Sequence, residues 1–460
     1  MYPIPGDPRL LAHVRPPEWR NPAPAKRYDL VVIGGGTAGL VCATGAAGLG
    51  ARVALVEKRL LGGDCLNTGC VPSKALIAAA RAVTVHADFA AVMTRVRNAR
   101  VALAPNDSAA RLQSLGVDVF FGAAAFVSEN AIEVDGRTLR FGRAVIATGS
   151  RPTIPPVPGL AQRAYFTNET IFELPAQPRD LLIIGGGAIG CELAQAFARL
   201  GTRVTIAERA ARILPSEDAD AARIVADSLS RDGVEIRTTV EEPQVSSAEA
   251  VLVAVGRTPN VEALGIEHAR VSLDNQGVQV DDRLRTTNPR VYAAGDVCSR
   301  YQFTHAADAM ARIVVQNALF FGRRRVSDLI IPWCTFTDPE IAHVGMKADE
   351  AARNGTPTIT VPLDAVDRAV IDGHTNGFVR VHHDHGRIVG ATVVAPDAGN
   401  LISLFASAMQ QNGTLTDLSS AVFPYPTTAL ALKRAGDLYR RERLTPGVQR
   451  LLRYYFGWRS

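Results

Sequence analysis

The chain has 460 residues, 47% of them hydrophobic, so it can bury a large core distributed over about two to four domains. Six cysteines are too few for a secreted disulfide scaffold, and a net charge of +5 spread along the chain does not indicate a nucleic-acid partner. No stretch of about twenty uncharged apolar residues occurs, and residues 1–26 are rich in proline. We therefore expect no integral membrane segment, no signal peptide and a cytoplasmic location.

The first recognisable unit starts at residues 28–33, which have the pattern of a buried strand. A glycine turn with Gly34, Gly36 and Gly39 follows, then a small-residue helix and a second strand that ends at Glu57. The glycines let the backbone approach a pyrophosphate at the helix N-terminus, and the acid can accept hydrogen bonds from ribose hydroxyls. This order predicts a dinucleotide-binding module.

A cysteine pair comes next. Cys65 and Cys70 flank four residues, and Pro72 and a helix-forming run, residues 74–80, follow them. Pro72 suits the first position of a helix, so Cys70 is expected near a helix N-terminus, where the dipole favours a thiolate. Such a pair can be cycled between dithiol and disulfide. From these residues alone, a structural disulfide or two buried thiols are the alternatives. No further cysteine or histidine pair completes a zinc site, so no metal site is predicted.

The dinucleotide unit recurs after the strand pattern of residues 181–184. Its turn and its acid are Gly185, Gly187, Gly190 and Glu208. The spacing from the first glycine to the acid equals that in the first unit. Two such modules in one chain imply two bound nucleotides.

Each module closes with a strand and a turn, residues 144–149 in the first and residues 251–256 in the second. The proline-rich residues 151–159 form a candidate linker between them. Residues 291–296 are predicted to be another buried strand, with Asp296 at the edge where parallel sheets bind ligands.

From about residue 331 the pattern changes to an α+β domain. Its predicted elements are strands at 358–363, 377–382 and 388–395 and a helix at 400–411. Residues 382–386, rich in histidine, fall at a predicted hairpin turn and are expected to be exposed rather than to bind metal. A basic aromatic helix ends the chain. Packing in a dimer or in the core is expected for it, and an anionic membrane surface is the alternative.

These residues together resemble the FAD-dependent pyridine nucleotide–disulfide oxidoreductases, the group of dihydrolipoamide dehydrogenase, glutathione reductase and mercuric reductase. The resemblance covers nearly the whole chain and is most specific at residues 62–74. It implies an α/β fold with two Rossmann-like dinucleotide-binding domains and a C-terminal α+β dimerisation domain, and hence a homodimer. The implied boundaries are 1–150 with 258–330 for FAD, 151–257 for NAD(P), and 331–460 for the interface domain.

The resemblance also implies roles for individual residues. The flavin site comprises Gly34, Gly36, Gly39, Glu57, Thr148, Gly149 and Asp296, and the NADH or NADPH site comprises Gly185, Gly187, Gly190, Glu208 and Gly256. Hydride passes from the nicotinamide to the flavin, which opens a Cys65–Cys70 disulfide. Cys70 is then the thiolate on the flavin, and Cys65 is the thiol that meets the substrate. Lys74 and Glu192 match the family's ion pair near the flavin ring.

The residue that bears most on the choice of substrate is Tyr425. Dihydrolipoamide dehydrogenase and glutathione reductase carry a histidine there and a glutamate five residues later, where this chain has Leu430. A phenol, with a pKa of about 10, is a poor base at neutral pH, so oxidation of a neutral dithiol is disfavoured. The Phe-Pro-Tyr sequence is similar to mercuric reductase, where a tyrosine from the partner subunit lines the metal site.

We therefore predict an NAD(P)H-dependent flavoprotein oxidoreductase, similar to mercuric reductase, acting on a thiol, disulfide or metal-ion substrate. Dihydrolipoamide dehydrogenase or another small-disulfide reductase, and a flavin-binding paralogue without activity, are the alternatives. The chain lacks mercuric reductase's terminal cysteine pair, and Tyr425 can also be read as a packed aromatic. Glu208 favours NADH, whereas Arg209 beside it could accommodate a 2′-phosphate.

Overall fold

The computed structural model describes residues 6–82 and 88–459. The strands are β1 (Tyr28–Ile33), β2 (Val53–Glu57), β3 (Val117–Phe121), β4 (Ala124–Ser128), β5 (Ala131–Val134), β6 (Arg137–Ile146), β7 (Ser150–Pro152), β8 (Asp180–Ile184), β9 (Arg203–Ala207), β10 (Glu235–Arg237), β11 (Ala250–Val253), β12 (Arg257–Pro259), β13 (Leu273–Asp274), β14 (Gly277–Val278), β15 (Val291–Ala293), β16 (Trp333–Thr335), β17 (Glu340–Gly345), β18 (Thr358–Pro362), β19 (Phe378–Asp384) and β20 (Arg387–Ala395).

The α-helices of the same ranges are α1 (Pro8–Val14), α2 (Thr37–Gly48), α3 (Gly63–Asn67), α4 (Cys70–Arg81), α5 (Phe89–Leu103), α6 (Ala109–Ser114), α7 (Ala188–Arg199), α8 (Ala219–Arg231), α9 (Thr304–Leu319), α10 (Ala348–Asn354), α11 (Asp367–Asp372), α12 (Ala398–Gln410), α13 (Leu415–Ser420), α14 (Leu430–Glu442) and α15 (Pro446–Arg459). The chain forms two compact units, the first from residues 1–207 and 240–329 and the second from residues 208–239 and 330–460.

The larger sheet of the first unit has a parallel core. β3, β2, β1 and β6 lie side by side in that order, and β15 pairs in parallel with β6. The start of β6 instead pairs antiparallel with β5, which pairs with β4. β1 is apolar and buried from Leu30 to Ile33, as expected of a central parallel strand. The carboxyl ends of β1, β6 and β15 therefore meet at one edge of the sheet.

A second parallel arrangement in the first unit consists of β11, β8 and β9, with β8 in the centre. It repeats the order found in the first module, with a closing strand on one side of the central strand and the acid-bearing strand on the other. The predicted linker begins as a strand, because β7 pairs antiparallel with β12 through Arg151 and Thr258. The two connections that flank this module therefore form one ribbon.

The second unit is built on an antiparallel sheet with the order β16–β17–β20–β19–β18. α12, α13 and α14 contribute apolar side chains to the core of this unit, which confirms the expected α+β texture. The opposite face of this sheet carries polar contacts, because Arg380 and Thr392 alternate with core residues along β19 and β20. Asp218, at the N-cap of α8, accepts a hydrogen bond from the Thr392 hydroxyl at 2.8 Å and pairs with Arg380 at 3.2 Å.

Three local expectations are corrected by the structure. α4 begins at Cys70, so Pro72 occupies its third residue rather than its first. Of the three histidines of that hairpin, His382 and His383 are buried within β19, and His385, which follows the strand, is exposed. The terminal helix α15 has no buried residue, so it is not part of the core of the chain.

Candidate functional site

The first glycine turn has the close backbone approaches that the motif predicts. Gly34 has φ +108°, and a Cβ there would lie 2.3 Å from the Ala147 carbonyl oxygen. A Cβ on Gly39 would lie 1.8 Å from the Gly34 carbonyl oxygen. β1, β6 and α2 can approach this closely only because Gly34 and Gly39 have no side chain. Gly36 is the N-cap of α2, and since it has no side chain to cap the helix, the N-terminal N–H groups stay open to a phosphate group.

Glu57 ends β2 beside this turn. Its two carboxylate oxygens accept hydrogen bonds from the backbone N–H groups of Gly35, at 2.6 Å, and Arg59, at 2.5 Å. Burial raises the pKa of the Glu57 carboxyl, against the effect of these two bonds. The carboxylate is therefore fixed in orientation and keeps lone pairs for ribose hydroxyls.

The other predicted flavin residues meet at the end of β6 and β15. Asp296 accepts a hydrogen bond from the Ser150 hydroxyl at 2.6 Å, and Arg257 lies 3.6 Å from it. Desolvation by burial raises the pKa of Asp296. The Thr148 hydroxyl donates to a backbone carbonyl at 2.6 Å, and Gly149 has φ +67°. The structure thus brings Thr148, Gly149 and Asp296 to the sheet edge where they were expected.

The two cysteines lie on consecutive short elements, Cys65 within α3 and Cys70 at the first residue of α4. Both are free thiols in hydrogen-bond contact with each other. The bond from Cys65 is the largest cause that lowers the pKa of Cys70 to about 6, and the Lys74 ammonium acts in the same direction. The pKa of Cys65 is raised by the same bond and by burial. At neutral pH the pair therefore holds one thiolate, on Cys70, and one proton, on Cys65.

Thr304 is a site residue that the sequence did not reveal. It is the first residue of α9, and its Oγ1 lies 3.3 Å from the Cys70 sulfur. The Thr304 hydroxyl lowers the pKa of Cys70, as expected of a donor to a thiolate. No local signal marks it, because 234 positions separate it from Cys70.

The predicted ion pair is formed within the first unit. Lys74 Nζ lies 2.8 Å from Glu192 Oε2, which joins α4 to α7. The Glu192 side chain is 7% exposed, whereas that of Lys74 is 37% exposed. A carboxylate buried to this degree requires its cationic partner, so the two side chains hold each other in place.

A second ion pair, absent from the sequence prediction, involves Arg257 and Asp64. The Arg257 guanidinium donates to Asp64, which precedes Cys65, and also to the Ser150 hydroxyl at 2.6 Å. Arg257 therefore connects the cysteine segment to the strand ribbon. Its position directly after Gly256 is the only sequence signal that could have drawn attention to it.

The second glycine turn repeats the geometry of the first. Gly185 has φ +107°, and a Cβ there would lie 2.5 Å from the Ala254 carbonyl oxygen. A Cβ on Gly190 would lie 2.0 Å from the Gly185 carbonyl oxygen, and Gly187 is the N-cap of α7. Gly256, at φ +126°, follows the closing strand. Both turns thus fit the pyrophosphate of a dinucleotide.

Two predicted site residues belong to the second unit. Glu208 accepts a hydrogen bond from the Ala210 N–H at 2.7 Å, which orients one carboxylate oxygen. Tyr425 is 71% exposed, and its hydroxyl donates to Asp367 at 3.1 Å. That bond raises the pKa of the Tyr425 phenol, so the phenol keeps its proton at neutral pH and cannot accept another. Its exposure contradicts the reading of Tyr425 as a packed aromatic within the chain.

Residues 6–82 and 88–459 contain neither a metal-binding cluster nor a membrane-spanning helix. No group of three or more histidine, cysteine or acidic side chains there is placed to hold a metal ion. None of the helices in these ranges combines the length and the apolar character needed to cross a bilayer.

Known proteins similar to this chain carry several names. The chain is 34% identical to a mercuric reductase of Staphylococcus aureus, over 90% of this chain and 83% of that protein. It is 34% identical to a dihydrolipoyl dehydrogenase of Haloferax volcanii, over 89% and 95% of the two chains. Among solved structures, the HOCl-induced flavoprotein disulfide reductase RclA of Escherichia coli superposes with a TM-score of 0.83 at 30% identity, covering 89% of this chain and all of that one.

Family models match most of the chain. Residues 28–311 match the model described as pyridine nucleotide-disulphide oxidoreductase, and residues 331–435 match the dimerisation domain of the same family, which supports a homodimer. These matches confirm the predicted fold class and the predicted cofactors, FAD and NAD(P)H. The glycine turns, the cysteine pair and these matches agree that the chain belongs to the pyridine nucleotide-disulphide oxidoreductase family of FAD-dependent enzymes.

Proposed function

We propose that the protein is an NAD(P)H-dependent reductase whose Cys65–Cys70 pair delivers two electrons to a thiophilic substrate, with mercuric ion as the first candidate. The observation that carries the proposal is the position of Cys70 at the first residue of α4, with its sulfur 3.3 Å from Thr304 Oγ1, which favours a thiolate on Cys70 and a thiol on Cys65. Two idle buried thiols would have no need of a helix N-terminus, a hydroxyl and an ammonium arranged around one of them. A cytoplasmic location stays a prediction.

The two cofactors would be held by the two glycine turns. The flavin residues are Gly34, Gly36, Gly39, Glu57, Thr148, Gly149 and Asp296, and the nicotinamide residues are Gly185, Gly187, Gly190, Glu208 and Gly256. When bound, FAD supplies the two-electron transfer between a hydride donor and a dithiol. Glu208 favours NADH, because a carboxylate accepts hydrogen bonds from ribose hydroxyls and repels a 2′-phosphate.

The sulfurs would have different tasks. Cys70 keeps its negative charge close to α4, Thr304 and Lys74, so it is the sulfur best held next to the flavin. Cys65 is the sulfur that exchanges with substrate. Glu192 is a positioning residue, because its ion pair fixes the Lys74 ammonium.

The substrate class follows from what stands at residue 425. A Tyr425 phenol with a raised pKa cannot accept a proton from a neutral dithiol at pH 7, whereas a soft metal ion displaces the Cys65 proton to solvent as it binds the two sulfurs and so needs no such base. Two electrons from NAD(P)H then convert Hg²⁺ to Hg⁰, with release of NAD(P)⁺ and H⁺. Tyr425 would line this site from the partner subunit. The names of the similar mercuric reductases support this choice.

The competing candidate is reduction of a small disulfide, which the name of the similar structure RclA favours. In that reaction NAD(P)H and one proton convert the disulfide to two thiols. It also proceeds through Cys65, so the two candidates differ in substrate and not in the sulfur chemistry.

Parallel assays of NADH oxidation with mercuric ion, glutathione disulfide, lipoamide and oxygen test the proposal. We expect the fastest turnover with mercuric ion and a loss of at least about a hundredfold in Cys65→Ser, which should still bind FAD. Cys334→Ser, a half-buried thiol in β16, is the matched control and should keep its activity. Unchanged turnover in Cys65→Ser would refute the sulfur assignment. Bound flavin without turnover on any acceptor would favour the inactive paralogue.

A further inference from the structure

The terminal helix α15 exposes an unusual amount of apolar surface. Leu451 is 68% exposed, Tyr454 79% and Trp458 80%, and no residue of the helix is buried. Large apolar side chains gathered on one exposed helix are typical of an interaction surface rather than of ordinary solvent-facing structure. The function proposed above makes no use of this helix.

The exposed side chains follow a helical period. Val448, Leu451, Leu452 and Tyr455 stand at positions i, i+3, i+4 and i+7, so they form one continuous stripe along α15. Trp458 extends this stripe towards the C-terminal end of the helix. The helix places Arg450 and Arg453 on the side opposite the stripe.

The charged side chains of α15 and of the residues just before it are all positive. Residues 443–459 contain Arg443, Arg450, Arg453 and Arg459 and no aspartate or glutamate. An apolar aromatic stripe backed by arginines is the pattern of a helix that lies in the surface of a bilayer with anionic lipids. With 14 residues, α15 is roughly 21 Å long, which is shorter than the roughly 30 Å needed to cross the hydrocarbon core.

We propose that α15 binds the protein to the surface of an anionic lipid bilayer, with its apolar stripe in the headgroup region and its arginines attracted by the negative surface potential of the lipids. A second copy of the chain is the less suitable occupant. A pairing of two α15 helices through their stripes would leave the arginines without an anionic partner, because residues 443–459 contain no acid. In addition, α15 lies beyond residue 435, where the match to the dimerisation domain ends.

Vesicle co-sedimentation of the full-length protein tests this proposal. Vesicles of phosphatidylcholine alone are compared with vesicles that also contain phosphatidylglycerol, at low and high salt. We expect binding to the anionic vesicles only, weakened by salt, with a blue shift of tryptophan emission that is lost in Trp458→Phe.

Two double variants separate charge from fold. Arg450→Glu with Arg453→Glu should lose at least about tenfold in vesicle affinity, because each arginine near an anionic surface contributes about fivefold. Arg450→Lys with Arg453→Lys keeps the charge and should bind as the parent does. NADH oxidation in solution should be the same in both. The proposal would be overturned if the protein bound neutral and anionic vesicles equally, or bound neither. It would also be overturned if the parent protein were a dimer that dissociates in the glutamate variant, which would favour a second copy as the occupant.

Discussion

The Thr304 hydroxyl lies 3.3 Å from the Cys70 sulfur, so a residue at the start of α9 completes the environment of a thiolate at the start of α4. Two helix N-termini therefore converge on one sulfur. Donors that act on the charged form lower a pKa, which is the direction found for Cys70.

Replacing Thr304 by Val should raise the pKa of Cys70, because the substitution removes the hydroxyl donor with little change in volume. We expect a rise of about one unit, in proportion to one hydrogen bond of about 1.4 kcal/mol. The rate of alkylation of Cys70 by iodoacetamide, followed by mass spectrometry between pH 5 and 9 in the reduced protein, measures it. Thr304→Ser keeps the donor and should retain the parent value. An unchanged pKa in the valine variant would show that the Thr304 hydroxyl does not stabilise the Cys70 thiolate.

Replacing Cys65 by Ala should raise the pKa of Cys70 further than Thr304→Val does, because the Cys65 thiol is the largest cause of its lowered value of about 6. In the parent protein, alkylation of Cys70 should be half-maximal near pH 6, and Cys65 should remain largely unmodified at neutral pH. Cys65→Ser restores a hydroxyl donor and should give an intermediate value. A profile for Cys65→Ala that superposes on that of the parent would contradict the shared proton.

Arg15 should contribute to flavin affinity without touching the flavin site. Its guanidinium donates to the carbonyl oxygens of Lys58 and Arg59, both at 2.7 Å, and so braces the turn that follows Glu57. We expect Arg15→Ala to weaken FAD binding by about tenfold, since charge-assisted hydrogen bonds contribute about 1.5–3 kcal/mol each and part of that is recovered by relaxation. Quenching of flavin fluorescence during titration of the apoprotein measures the affinity.

The matched control for this prediction is Arg9→Ala. Arg9 lies in the same N-terminal segment but is exposed and pairs with Asp7 rather than with the turn. It should leave FAD affinity unchanged. Equal affinities in all three proteins would mean that the turn after Glu57 holds its shape unaided.

The buried histidines of the second unit should make its stability depend on pH. Burial lowers the pKa of His382 to about 4 and also lowers those of His343 and His383. The unfolded chain binds protons from about pH 6.5 downwards, and the folded chain does not, so the free energy of unfolding should fall as the pH falls from 6.5 to 4. His382 alone should account for a loss on the order of 2 kcal/mol at the acid end.

Denaturant unfolding at several pH values between 4 and 7 measures this dependence. His382→Asn should flatten the curve over this window, because its side chain does not titrate. His385→Asn is the control, since that side chain is 98% exposed and should leave the curve unchanged. A curve of the same slope in His382→Asn and the parent would assign the acid sensitivity to other groups.

The amino-acid sequence determined the parts of this protein that depend on local order. Strand, glycine turn, helix, strand and acid can form only one kind of unit, because Gly34 and Gly185 are needed wherever a strand end and a helix meet a neighbouring carbonyl. The spacing of Cys65 and Cys70 likewise set the sulfur pair at a helix N-terminus. The family, the fold class and both cofactors came from the resemblance that these local patterns carry, and the comparisons confirmed them.

Only the tertiary structure decided which distant residues complete the site and which surfaces stay exposed. Thr304, Arg257 and Arg15 reach their partners through the packing of separate elements, and no periodicity encodes such a meeting. For the same reason the predicted exposure of His382 was wrong, because its burial depends on the elements that pack over β19. Short-range preferences fix a residue's conformation, whereas burial and contact are set by elements far apart in the chain, and these exist only once the chain has folded.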